Sequence, residues 1–289
     1  MHCTLQVMRF FPFLLLLASS AIAATDAYIP IAGRATGAGG RRFDTTVWIT
    51  NVSDEHAVVT LSFLRAAQAN PTPFTYTQRL APAEVRRIAL PDYLIGTAGV
   101  GALRVYSPRE VLATAHLFSI GAGENEAHAV GASIDAVSAA NAIGTNETTL
   151  VTGVATPGVR YKLYAVETTS HPLYFTITSI NERGEKLTQK RYFIGAREAR
   201  SFDVPATGVA LRIHGVNGSG KIIVCGVAVA NESQDSTVFS MSVPSSPRHR
   251  LPLSELAAYL LIAILLGVRW QGHRFRIFDA KAAAPPPHS

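Results

Sequence analysis

Val58-Val-Thr-Leu-Ser-Phe63 decides the fold. Val59, Leu61 and Phe63 alternate with Thr60 and Ser62, the period-two pattern of a strand with one face in a core and one in water. Working outward, the same composition recurs in short runs: Thr46-Val-Trp-Ile-Thr50, Phe74-Thr-Tyr-Thr77 and Val111-Leu-Ala-Thr-Ala-His-Leu-Phe118. Gly, Pro, Asn and Ser separate them, and no long helical period intervenes. Such spacing predicts an all-β chain of antiparallel β-sandwich domains.

The pattern then repeats. Gly101-Ala-Leu-Arg-Val105 has a counterpart in Ala210-Leu-Arg-Ile213, and each precedes an apolar strand, Val111 to Phe118 or Ile222 to Val229. Leu80 to Pro91 parallels Phe193 to Pro205, and Val58 to Leu64 parallels Leu173 to Ser179. An offset of roughly 110 residues is the size of one sandwich. The expected organisation is a signal peptide over residues 1–23 and sandwich domains over 24–140 and 147–244. A transmembrane helix over 251–270 and a basic, disordered tail over 271–289 would follow.

The ends carry the membrane features. Arg9, the apolar run from Phe10 to Ala18 and Ala21-Ile-Ala23 read as a cleavable leader. Leu256 to Val268 is uncharged, and residues 251–270 would make a helix of about 30 Å, enough to cross a bilayer. Arg269, Arg274, Arg276 and Lys281 follow that segment, a bias toward a cytoplasmic C-terminus. The alternative is a sorting signal removed after export. The chain's charge of +6 belongs mainly to this end. Residues 24–247 hold 19 Lys and Arg against 18 Asp and Glu, so the body is almost neutral. The expected partner is therefore a membrane through the C-terminal helix, with an envelope protein or polysaccharide at the displayed domains. Nucleic acid is not expected.

Tyr28-Ile-Pro-Ile-Ala-Gly33, Val47-Trp-Ile-Thr-Asn-Val-Ser53, Leu80-Ala-Pro82 and Gly101-Ala-Leu-Arg-Val105 together resemble an uncharacterised bacterial secreted family of tandem immunoglobulin-like repeats. The resemblance spans about residues 28–244 and is weaker in the second half. It implies an immunoglobulin-like sandwich at the cell surface, and it carries no activity over to individual residues.

Tests for chemistry give little. Gly215-Val-Asn-Gly-Ser-Gly-Lys221 begins like a phosphate-binding loop, but Ile222 stands where the motif needs Ser or Thr, and a strand follows instead of a helix. It reads as a hairpin loop. His116, His128, His171 and His214 fall in no metal-binding spacing. Glu124 and Glu126, together with Asp135, are the weak candidates for an ion site, against a plain polar loop. Trp48, Tyr161, Tyr164, Tyr174 and Tyr192 are candidates for a carbohydrate platform, with core or cross-strand packing the commoner fate of strand aromatics. Cys225, inside an apolar run, reads as a small buried residue. Three loops, 34–42, 66–73 and 122–127, are where specificity would sit, the first with Arg34, Arg41 and Arg42 for acidic sugars. No catalytic residue and no cofactor is expected. The function implied is non-catalytic display at the envelope or cell surface, for adhesion, matrix contact or scaffolding. A secreted hydrolase accessory or carbohydrate-binding protein is the alternative.

Overall fold

The computed structural model describes residues 24–242 apart from 38–39, 97–98, 122, 124–128, 154–157, 205–207 and 231–235. The expected leader, C-terminal helix and tail lie outside the described residues, as do Glu124 and Glu126. Among the described residues no helix is long and apolar enough to cross a membrane. All of them belong to one compact unit.

The fold is all-β, with antiparallel pairing between its strands. The first half contains β1 (Thr25–Thr36), β2 (Arg42–Asn51), β3 (Ala57–Arg65), β4 (Phe74–Leu80), β5 (Val85–Ala89), the single helical turn α1 (Asp92–Ile95), β6 (Gly99–Ser107), β7 (Val111–Ile120) and β8 (Val130–Asp135). After a two-residue β9 (Val137–Ser138) come β10 (Thr148–Thr152), β11 (Val159–Glu167), β12 (Leu173–Ile180), β13 (Lys186–Ile194), β14 (Ala199–Asp203), β15 (Ala210–Gly218), β16 (Ile222–Ala230) and β17 (Ser236–Ser240).

The first half pairs as a layer A1, in the order β4-β3-β6-β1, and a layer B1, in the order β5-β2-β7-β8. The second half pairs as A2, β13-β12-β15-β10, and B2, β14-β11-β16-β17. The two orders are identical once β1–β8 are matched with β10–β17, so the repeat visible in the sequence is a repeat of topology. The register sharpens it. Ser62 faces Arg104 in A1 as Thr178 faces Arg212 in A2. Trp48 lies between Arg87 and Thr114 in B1 as Tyr164 lies between Ser201 and Cys225 in B2.

In β3 Val59, Leu61 and Phe63 are buried in the first core as the alternation requires, but Ser62 and Leu64 on the other face are buried as well, Leu64 against the second core. The Ile-Pro-Ile-Ala-Gly lead is structural. Pro30 and Ile31 sit where the β1–β6 register slips. A proline is tolerated at such a bulge because the ladder hydrogen bond is already missing there. At Gly33, with φ +129°, a Cβ would collide with the Gly99 carbonyl oxygen. Thr45 then bonds both backbone groups of Gly33, its Oγ1 accepting from the amide and donating to the carbonyl. Past this point β1 leaves β6 and pairs with β2 through Ala35 and Thr36. The two layers of the first repeat are thereby one continuous sheet.

The paralleled turns are also the same object. Glu84 accepts from the Ala81 amide and Glu198 from the Gly195 amide, both at 2.7 Å. The residue before each, Ala83 or Arg197, adopts a left-handed conformation with φ near +50° to +57°.

The repeats are not beads on a flexible string. β16 is buried on both faces, which is why Ile222 to Val227 is a continuous apolar run. Val224 and Ala228 face the second repeat's own core, whereas Cys225, Val227 and Val229 join the core of the first. Tyr28 of β1 crosses in the other direction and packs with the second core. Its hydroxyl donates to the Thr168 carbonyl. The junction between the two expected domains, residues 141–146, is packed as well. Ala142 and Ile143 are buried, and Ile143 exchanges backbone hydrogen bonds with Ile222.

One expectation is overturned. The Gly215–Lys221 loop is not a hairpin, because β15 belongs to A2 and β16 to B2, so the chain crosses from one layer to the other. Its glycines serve that crossing. A Cβ at Gly215, Gly218 or Gly220 would strike the carbonyl oxygens of Gly144, Pro172 and His171 respectively. The phosphate-loop pattern is thus a by-product of three close backbone approaches.

Candidate functional site

The internal duplication allows each outward face to be compared with its twin. The outer face of B2 carries Tyr164, Cys225, Val227, Val229 and Val238, and it is covered by the first repeat. The corresponding positions on B1 are Trp48, Thr114, His116, Phe118 and Ser133; Phe118 is buried, whereas Trp48, Thr114 and His116 are partly exposed and Ser133 is exposed. The aromatic anchor is kept; Cys225, Val227 and Val238 are matched by the polar Thr114, His116 and Ser133, and Val229 by the aromatic Phe118. This is the chemistry of a face that stays wet while retaining something for a ligand to stack on.

Register assembles it from distant parts of the chain. Trp48 projects outward because Val47 and Ile49 project inward, each fully buried. Thr46 pairs with His116, and Asp44 with Phe118. The rings form a ladder, with Trp48 and His116 centroids 6.0 Å apart and His116 and Phe118 6.2 Å apart. The Arg87 guanidinium lies over the Trp48 ring at 5.7 Å. Below the ladder a shallow groove of about 430 Å³ runs between Arg34, Arg42, Arg87 and Thr46.

The electrostatics of the groove are mixed. Arg34 bonds Asp44 at 3.0 Å and Asp92 at 2.5 Å. The hydrogen bond to Asp92, with that to Asp44, raises the guanidinium's pKa still further. Arg34 is therefore a structural clamp between β1, β2 and α1, and less a free cation for acidic sugars. Arg41 donates to the Ser119 hydroxyl. Arg42 is exposed at the groove.

The other candidates scatter. Asp135 accepts from Thr114 Oγ1 at 2.8 Å at the far edge of B1. Among the described residues no three His, Cys, Asp or Glu side chains converge as a metal site would need. His214 shares a hydrogen bond with Thr148, and His171 with the Thr169 carbonyl. Tyr161 and Tyr192 are packing residues of the second repeat, and Tyr164 is the anchor between repeats. Tyr174 is exposed on A2. Of the three expected specificity loops, 66–73 also ties the two repeats together. Ala66 pairs with Ala199, the Ala67 amide donates to the Ala199 carbonyl, and buried Asn70 donates to the Arg197 carbonyl.

Cys225 is 1% exposed, and burial pushes its thiol up to about 12. It is buried as expected, but between the repeats and not within one sandwich.

No protein-family model matches the chain, and no curated protein or solved structure is significantly similar to it.

Proposed function

We propose that this is an exported, non-catalytic protein that displays two fused immunoglobulin-like sandwiches at the envelope or cell surface, held by its C-terminal apolar segment. Its role is adhesion, matrix contact or scaffolding through the partly exposed B1 face. The observation that carries this is the divergence between twin faces. On B2, Val227 and Val238 are packed against the first repeat, while B1 has partly exposed His116 and exposed Ser133 at those positions, beside partly exposed Trp48 and Thr114. The export signal and the membrane-side charge bias supply the address.

The experiment is fractionation of the producing cell with external protease. Digestion of residues 24–250 from outside, with the tail protected, supports the topology. A soluble cytoplasmic chain overturns it. The second reading, an accessory carbohydrate-binding protein, is favoured by one feature, the Trp48–His116–Phe118 ladder with Arg87 above it. Arg42→Gln with His116→Ala separates the two readings. Lost cell attachment supports surface contact, and lost recruitment to soluble glycan supports the accessory role.

A further inference from the structure

The outer face of A2 differs from its twin on A1 in charge as well as in cover. On A1, Arg104 holds Asp26 through two hydrogen bonds of 2.7 and 2.8 Å, so its charge is matched. On A2 the equivalent arginine is Arg212, and the register places Thr148 where Asp26 stands. Among the described residues Arg212 has no carboxylate partner. The substitution pattern continues across the sheet. Val58, Thr77 and Arg79 of A1 are matched by Tyr174, Arg191 and Phe193 of A2.

The result is a flat face with an unusual inventory. Tyr174 and Phe193 are a cross-strand pair with centroids 4.9 Å apart, and each is 42% exposed. The Arg191 guanidinium lies over the Tyr174 ring at 4.8 Å, which holds it flat and outward. Strand geometry puts the backbones of Arg191 and Arg212, on either side of β12, about 12 Å apart. Thr176 and Thr178 of β12 lie between them, Thr176 beside Arg191 and Thr178 beside Arg212. The outer face of A2 carries Arg191 and Arg212, Lys190 alternating to the opposite face, and none of the four strands contains an acidic residue. In a body that is almost neutral, this is a local excess of positive charge.

We infer that the outer face of A2 binds an acidic polysaccharide, its carboxylates or sulfates held by Arg191 and Arg212 and its rings stacked on Tyr174 and Phe193. Guanidinium forks match carboxylate and sulfate oxygens, and exposed rings suit the apolar face of a sugar. A lipid surface fits less well, since the rings lie flat within a sheet and do not protrude. The preference for a glycan over a nucleic acid rests on the proposed export.

The test is affinity electrophoresis and calorimetry of the full-length chain, purified in detergent, with polygalacturonate, alginate and heparin. Dextran, phosphatidylglycerol vesicles and a DNA duplex are the comparisons. At least one acidic glycan should bind, more weakly as salt rises, and dextran should not. Arg191→Gln with Arg212→Gln should weaken binding at least tenfold, and Tyr174→Ala with Phe193→Ala several-fold, with the thermal midpoint of the arginine variant unchanged. Three results overturn the inference: no binding to any of the three glycans, affinity within twofold of wild type in the arginine variant, or equal binding of dextran, vesicles or duplex. Cell fractionation decides the address separately, so failure here leaves the export proposal standing.

Discussion

Asn51 and Glu167 are one structural position filled twice, each the fully buried last residue of its repeat's second strand. Both take the amide and hydroxyl of the residue two places on, Ser53 for Asn51 and Thr169 for Glu167. Asn51 then uses its amide nitrogen on the Glu55 and Ala81 carbonyls. Glu167, which has no donor, instead accepts the amides of Ser170, Arg197 and Lys221. The loops around each repeat were built to the polarity of their plug.

The plugs should therefore not be exchangeable. Glu167→Ala strands buried amides and should cost about 3 kcal/mol, as should Asn51→Ala. Glu167→Gln should also destabilise, since its NH₂ meets donors where acceptors are needed. Urea midpoints of the three variants check this. A Gln variant as stable as wild type would contradict the assigned bonds.

Cys225 reports on the seam between repeats. In a Cys3→Ser background its thiol should resist a maleimide reagent until denaturant opens the seam. Because burial raises its pKa from 9.0 to about 12, the folded state favours the neutral thiol. The associated stability is present in full below pH 9 and is lost as pH rises toward 12. Unfolding midpoints of the single-cysteine protein and of its Cys225→Val variant, compared between pH 8 and 11, measure the difference. The Val variant should lose less stability at high pH.

Asn70 fastens the 66–73 loop, its amide group reaching the Arg65, Gln68 and Arg197 carbonyls and its oxygen taking the Arg65 amide. Asn70→Ala should cost about 2 kcal/mol and speed maleimide labelling of Cys225. Labelling at the wild-type rate would show that this loop and the seam open independently.

Tyr161 is an opposite case. Its hydroxyl is buried, has no hydrogen-bond partner among the described residues, and rests on Gly226, where a Cβ would collide with it. Tyr161→Phe should stabilise by about 1 kcal/mol. Gly226→Ala should destabilise by about 3 kcal/mol, as a forced overpacking. Thermal midpoints of the two variants decide both signs.

Much of this was legible in the residues. Val59, Leu61 and Phe63 declared a half-buried strand because a strand's side chains alternate regardless of context. The continuous apolar run at β16 marked Cys225 as buried. What covers it was not legible, because Cys225 and Tyr28 are buried by residues far away in the chain. The same limit governs Gly215–Lys221. Local sequence marks a turn there, but which layer receives the next strand is a tertiary fact. The candidate site was half visible. Trp48, His116 and Arg42 stood out singly, but Trp48 and His116 are brought together only by the β2–β7 register. That Arg34 is clamped by Asp44 and Asp92 depends on α1, a single turn with no sequence period to announce it. The vacant partner of Arg212 emerges only by aligning the repeats strand by strand.

The docking of B2 on the first repeat also sets a valence. A further repeat added in the same geometry would hide its own B face against its predecessor and leave B1 as it is. Lengthening the array therefore never multiplies that face, and each molecule is monovalent through it however many repeats it carries. Strong attachment by B1 would have to come from the density of molecules on the surface, not from the length of any one of them.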